Sequence, residues 1–188
     1  MILLGSTSPT RATMLEAHHI PFIQKGSAFD EESLPLGDPD TFIYHATKGK
    51  LEACTQQYGL DLPILCADTV VTADGLILRK AKSREDARTI LNRQSGNHVS
   101  IRTCTMLRSR QFELIDLSIT TYHFRPFDPK DLEAYLESDQ WEGKAGACMV
   151  EGFCKTYIDR VEGLESTAMG LSIERVLPFI RRYGYDRL

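Results

Sequence analysis

The chain opens on an apolar run, Met1-Ile2-Leu3-Leu4, followed at once by the polar turn Gly5-Ser6-Thr7-Ser8-Pro9. A short apolar run bounded by a turn predicts a buried strand over residues 1–5, and Ser8 before Pro9 predicts a helix N-terminus. Met14 and Leu15 give that helix a modest apolar face, and His18 and His19 stand at its end. Residues 20–23 (IPFI) read as a second strand, and the acidic, turn-rich stretch 29–40 reads as a loop. Asp38-Pro39 marks the next helix start. Phe42, Ile43, Ala46, Ala53 and Cys54 share one side of a 3.6-residue wheel, with Gly59 as the stop. Lys50 falls inside this apolar stripe, whereas Lys48 points away. Residues 63–78 read as a long strand, a turn at Asp74-Gly75 and a return strand. A helix capped by Ser83 is predicted over 83–94. Val99, Ile101 and Thr103 then alternate with polar neighbours in a strand, a turn falls near Ser109-Arg110, and a second β run covers 112–124. Asp128 begins a helix carrying Leu132, Tyr135 and Leu136. Residues 145–162 are glycine-containing and partly β, and a last helix is predicted over 165–178. The order is neither strict βαβ alternation nor all-β. It predicts an α/β fold, a mixed sheet flanked by helices, in a single domain over 1–188 without repeats or linkers.

Composition narrows the function classes. With 42% of 188 residues hydrophobic, one substantial core is within reach. The net charge of −4 argues against sequence-independent nucleic-acid binding, which needs a broad cationic face. No apolar run approaches the roughly 20 residues of a membrane span, and the opening run is too short for a signal-peptide core, so a cytoplasmic protein is expected. Five cysteines without a CxxC pair argue against a disulfide framework or a zinc site, and Cys66, inside an apolar run, reads as a reduced core thiol. The five histidines lack HExxH spacing, which argues against a histidine-based metal site.

Three features carry candidate chemistry. The opening turn offers hydroxyls and free amides at a helix start, with Arg11 one turn inside. Such a turn holds an anion through the helix dipole and a bidentate guanidinium; the plain alternative is a structural cap. Asp68 ends the apolar run Pro63–Ala67, where a carboxylate costs several kcal/mol unless paired or bound to a cation. It reads as a metal ligand or general base, against a strand-end turn cap. Lys50 and Lys80 join Arg11 as cations for one polyanion, the alternatives being a snorkelling side chain and ordinary surface charge. Among the loop acids Asp30, Glu31 and Glu32, one paired with Asp68 suits a divalent cation through oxygen ligands; ordinary solvated acids are the alternative. The chain lacks GxxxxGK[ST] and GxGxxG, so neither a P-loop nor a dinucleotide fingerprint is present.

Taken in order, these segments resemble the Maf family of nucleoside triphosphate pyrophosphatases. The opening S-x-S-P-R-R of the family is matched by Ser6-Thr7-Ser8-Pro9-Thr10-Arg11, its D-E pair by Asp30-Glu31, and its A-D-T by Ala67-Asp68-Thr69, with Lys50 in the place of the preceding lysine. The run D-G-x-x-L-x-K-P is similar to residues 74–81, ending Arg79-Lys80-Ala81. Ser95-Gly96-Asn97-His98-Val99, Lys144-Ala145-Gly146 with Glu151-Gly152, and Gly170-Leu171-Ser172 follow in the family order. Thr10 replaces the first arginine. Glu151 replaces a glutamine and, with Gly152-Phe153, resembles the branch acting on 7-methyl-GTP. Lys144-Ala145-Gly146-Ala147 and Ala67-Asp68-Thr69 instead look like the dTTP/UTP branch, so the base stays open.

The resemblance implies an elongated, twisted mixed sheet with a central cleft, similar to inosine triphosphatases. It implies hydrolysis between the α- and β-phosphates of a standard or modified nucleoside triphosphate, giving a monophosphate and pyrophosphate. It implies catalysis by Asp68, Lys50, Lys80 and Arg11, substrate contacts from Ser6, Ser8, Arg11 and Glu151, and a divalent metal on Asp68 and Glu31, Mg²⁺ with Mn²⁺ as the alternative. It makes a homodimer a candidate assembly, with no nucleic-acid or membrane partner. The competing expectation is a non-catalytic nucleotide-binding regulator of cell division and septum formation.

Overall fold

The computed structural model describes residues 1–148, 150 and 152–187. The predicted elements appear in order. Strand β1 (Ile2–Leu4) leads into helix α1 (Pro9–Ala17), then strand β2 (Phe22–Gln24) and helix α2 (Pro39–Tyr58). Strands β3 (Ile64–Ala73) and β4 (Leu76–Leu78) form the hairpin, followed by helix α3 (Arg84–Gln94). Strands β5 (His98–Arg108) and β6 (Glu113–Phe124), helix α4 (Pro129–Glu137), strand β7 (Ile158–Glu162) and helices α5 (Glu165–Ala168) and α6 (Ile173–Arg182) complete the chain. The strands form a seven-stranded mixed sheet in the order β2-β1-β3-β5-β6-β7, with β4 paired to β3. The β1 pairs are parallel and the β3–β4 and β6–β7 pairs antiparallel. Among the described residues, no helix is long and apolar enough to cross a membrane.

Contacts gather the chain into two compact units. The first comprises Met1–Thr69, Arg102–Ile119 and Leu164–Leu188. Its core joins Ile2 and Leu4 of β1, Leu15 of α1, Leu65 and Ala67 of β3, Leu107 of β5 and the apolar face of α6. The second comprises Val70–Ile101 and Thr120–Gly163, with Ala87, Leu91, Val99, Leu132, Tyr135 and Leu136 buried within it. There Lys80 bridges Ala145 across a two-residue antiparallel contact, and the buried Gln94 donates from Nε2 to the Gly146 carbonyl at 2.5 Å. A disulfide joins Cys148 and Cys154, against the expectation drawn from five cysteines without a CxxC pair. Cys66 is a free, fully buried thiol.

Two further expectations are corrected. The last helix, expected over 165–178, is two helices, α5 and α6, parted at Gly170, whose φ of +95° is incompatible with a continuing helix. The second runs on through Pro178 to Arg182. Proline inside a helix costs roughly 3 kcal/mol, but α6 buries Ile173, Val176, Leu177 and Ile180. At about 1.5–3 kcal/mol per buried side chain, burial wins. The loop over 29–40 contains one short 3₁₀ turn, Glu31–Ser33, which carries an acidic candidate.

Gly5, where β1 gives way to the polar turn, is fixed by close approach. A Cβ at this position would lie 2.5 Å from the Cys66 sulfur and 2.9 Å from that of Cys54. Both cysteines are fully buried, so neither has free space to move into. Gly5→Ala is therefore expected to destabilise the protein by about 1–3 kcal/mol through overpacking, read as a lower midpoint in urea or thermal unfolding; an unchanged midpoint contradicts this packing.

Candidate active site

The opening turn is built around Arg11. Ser8 caps α1 by accepting from the Arg11 amide at 3.4 Å, and Pro9 occupies the first helical turn, where its missing N–H costs nothing. Ser6, buried, accepts from the Ser8 amide at 3.2 Å and from Arg11 Nη1 at 2.9 Å. Arg11 Nε donates to the Gly170 carbonyl at 2.7 Å, and Nη2 donates to Thr69 Oγ1 at 3.4 Å. The cap reading of this turn is thus correct, and the turn also orients a guanidinium. A guanidinium has five N–H donors, of which described residues take three. One N–H on each terminal nitrogen is left, and two such donors suit an oxyanion.

Strand β3 delivers Asp68 and helix α2 delivers Lys50. Asp68 sits within the strand rather than at its tip and is buried. Its Oδ1 accepts from the Thr69 amide at 2.9 Å. Its Oδ2 lies 3.1 Å from Lys50 Nζ, an ion pair, yet among the described residues it has no partner in hydrogen-bond geometry. Lys50 Nζ also donates to Glu31 Oε2 at 2.5 Å. The helical wheel therefore separates the two lysines correctly: Lys50, with 18% of its side chain exposed, turns inward to two carboxylates, while Lys48, half-buried with 44% of its side chain exposed, lies 3.9 Å from Glu52.

Electrostatics distinguish the two acids. Burial raises the Asp68 carboxyl above its ordinary value; Lys50 opposes the rise and the adjoining Glu31 adds to it. Desolvation also pushes Glu31 upward, but the Lys50 hydrogen bond, the contact with Asp68 and the charges of Lys50 and Arg11 hold it below its ordinary value. Burial pulls the Arg11 guanidinium down, against the upward pull of Asp68, Cys66 and Glu31. Two carboxylates thus share one lysine, with a buried carboxylate oxygen aimed at it and not fully satisfied. Among the described residues no group of three or more His, Cys, Asp or Glu side chains surrounds this point. Two neighbouring carboxylates suit Mg²⁺, which takes one or two carboxylates and completes its shell with water and phosphate. Asp68 and Glu31 fit such an ion.

The structure brings together Ser6, Ser8, Arg11, Glu31, Lys50 and Asp68. Lys80 belongs to the second unit, where it is exposed and next to the Lys144-Ala145-Gly146 segment by its bridge to Ala145. Glu151 lies outside the described residues. Sequence reading missed Thr103. Its hydroxyl contacts Thr69 Oγ1 at 2.8 Å and donates to the Thr167 carbonyl at 2.7 Å. A clue was present: Thr103 shares the inward phase of Val99 and Ile101 in β5, where an apolar residue is expected.

Because the Asp68 carboxylate is held against its desolvation, a neutral isostere relieves strain. Asp68→Asn is expected to unfold at a temperature equal to or above that of the unchanged protein at pH 7, with Lys50 still paired to Glu31. A carboxyl raised in the folded state favours the folded form as pH falls toward and below its folded value. The advantage of the variant should therefore shrink on acidification, and calorimetry at pH 7 and pH 4 checks it.

Comparison with known proteins agrees with this geometry. The family model described as "Maf-like protein" matches residues 1–183. A nucleoside triphosphate pyrophosphatase of a Nitratiruptor species is 54% identical over 178 residues, covering 94% of this chain and 96% of its own length. A protein of the same name from Helicobacter pylori is 41% identical, covering 94% of this chain and 93% of its own. One from Campylobacter jejuni subsp. jejuni is 33% identical, covering 96% and 100%. On the match along nearly its whole length, the chain belongs to the Maf-like protein family.

Proposed function

We propose that this chain is a nucleoside triphosphate pyrophosphatase, a hydrolase acting on acid anhydrides, and that its residues 1–188 act as one Maf-like domain. The observation that carries the reading is the arrangement around Asp68: a buried carboxylate beside Glu31 and Lys50, tied through Thr69 to an arginine with a free pair of N–H donors. Relatives bearing that name cover the chain almost end to end.

In the reaction, water attacks the α-phosphorus, the bond to the α–β bridging oxygen breaks, and pyrophosphate leaves. Asp68 accepts the proton of the attacking water, a task suited to a carboxylate whose burial makes it more basic than usual. Arg11 meets phosphate oxygens with its two remaining donors and stabilises the negative charge on the departing group. Lys50 pairs with both acids and brings a positive charge next to them, where it can stabilise a phosphate oxygen. Ser6 and Ser8 shape the turn that seats a phosphate. Asp68 and Glu31 would hold Mg²⁺, with Mn²⁺ as the alternative, and such an ion neutralises phosphate oxygens. The charge role of Lys80, the base contact of Glu151 and a homodimeric assembly rest on the family resemblance, and a cytoplasmic place of action belongs to the same proposal.

Pyrophosphate release, measured with Mg²⁺ over standard and modified nucleoside triphosphates, tests the assignment and identifies the base. Release with formation of the monophosphate is expected. Folded, metal-supplied protein that releases none from any nucleotide favours the regulatory alternative. Asp68→Asn should lower kcat by about 10²–10⁴-fold, the range of general-base removal, while remaining folded. Lys80→Ala should lower kcat/KM by at least about tenfold; unchanged kinetics place that lysine outside the reaction.

A further inference from the structure

Arg11 is held by acceptors, and the direction of the hydrogen bonds behind one of them is fixed. The Thr167 carbonyl can only accept, so the Thr103 hydroxyl, 2.7 Å away, must donate to it. A hydroxyl has one proton, so in the 2.8 Å contact between Thr69 and Thr103 it is Thr69 that donates. The proton of Thr69 is thereby turned away from Arg11, and the face of its oxygen toward Nη2 presents lone pairs only. The chain runs one way, from Arg11 through Thr69 and Thr103 to the Thr167 carbonyl. Thr103 and Thr167 are fully buried, so water does not compete for either. The Thr167 carbonyl also accepts from the Gly170 amide at 3.0 Å, and the Gly170 carbonyl takes Arg11 Nε. One turn, Thr167–Gly170, thus anchors both sides of the guanidinium. Gly170 leaves room for it, since a Cβ there would lie 3.3 Å from Thr69 Oγ1 and 3.5 Å from Arg11 Nε and Nη2. The Thr69 amide meanwhile holds Asp68 Oδ1.

We propose that Thr103 is a positioning residue for the reaction: its buried hydroxyl sets the polarity of Thr69 and so the orientation in which Arg11 presents its free donors to the polyphosphate. The inference rests on the reading of Arg11 as the phosphate-binding group. Valine at 103 keeps the shape but can neither accept from Thr69 nor donate to Thr167. The Thr69 proton is then free to turn toward Arg11, where two donors would face each other.

A double-mutant cycle tests this, read both as kcat/KM for nucleoside triphosphate hydrolysis and as Kd for inorganic triphosphate, a probe independent of the base. Thr103→Val should lower kcat/KM by about tenfold or more, and Thr103→Ser, which keeps the hydroxyl, should stay within about threefold of the unchanged protein. In an Arg11→Ala background, Thr103→Val should change Kd for triphosphate by less than about threefold, since its effect acts through the arginine. If Thr103→Val does not fold, Thr69→Val enters the same cycle with the same expectation. Normal kinetics in Thr103→Val, failure of Thr103→Ser to rescue, or an undiminished effect without Arg11 each overturn the proposal. Full activity and triphosphate affinity in Arg11→Ala overturn the phosphate-binding reading of Arg11 and the proposal with it, whereas loss there with an undiminished Thr103→Val effect overturns the proposal alone.

Discussion

A negative charge placed inside a β-strand governs the first compact unit. Strand β3 is buried along nearly its whole length, and Asp68 interrupts its apolar run. Leaving a carboxylate unpaired in such a place costs several kcal/mol, so the surroundings must answer it. They answer only in part. The Thr69 amide satisfies one oxygen, and Lys50 faces the other without completing a hydrogen bond. The incomplete answer leaves an oxygen that can still meet water or a cation, which a fully satisfied carboxylate has little capacity to do.

The features around Asp68 follow from that constraint. A lysine on the inward stripe of α2 is unfavourable in a helix that only packs, and becomes favourable when two carboxylates await it. Glu31 sits on a short 3₁₀ turn in an otherwise irregular acidic loop, so the second acid arrives from a segment with few packing demands of its own. Arg11 completes the set with a geometry opposite to that of Lys50. The lysine is a point charge that faces both carboxylates at once, whereas the planar guanidinium is fixed on three sides and presents one edge.

Much of this was legible in the residues. Ser8 with Pro9, Asp38 with Pro39 and Asp128 with Pro129 announce their helices because side-chain caps and proline act within one turn of chain. The Asp74-Gly75 hairpin is equally local, both residues lying at positive φ. Lys50 was distinguished from Lys48 by helical phase alone. The end of α6 was set short at residue 178 because the local pattern fades there, whereas the buried Ile180 carries the helix on to Arg182.

The sequence by itself determined the order of the elements, the acid in the apolar strand, the inward lysine and the turn that orients an arginine. Each of these is fixed by neighbours within a few residues. Only the tertiary structure decided that Lys50 pairs with both Glu31 and Asp68, how the acceptors around Arg11 are supplied, and that Thr103 and Thr167 stand behind them. Those contacts join residues as far apart as Arg11 and Gly170, 159 positions along the chain. A hydrogen bond between such partners depends on strand pairing and helix packing, which residue pattern constrains only in aggregate and never pair by pair.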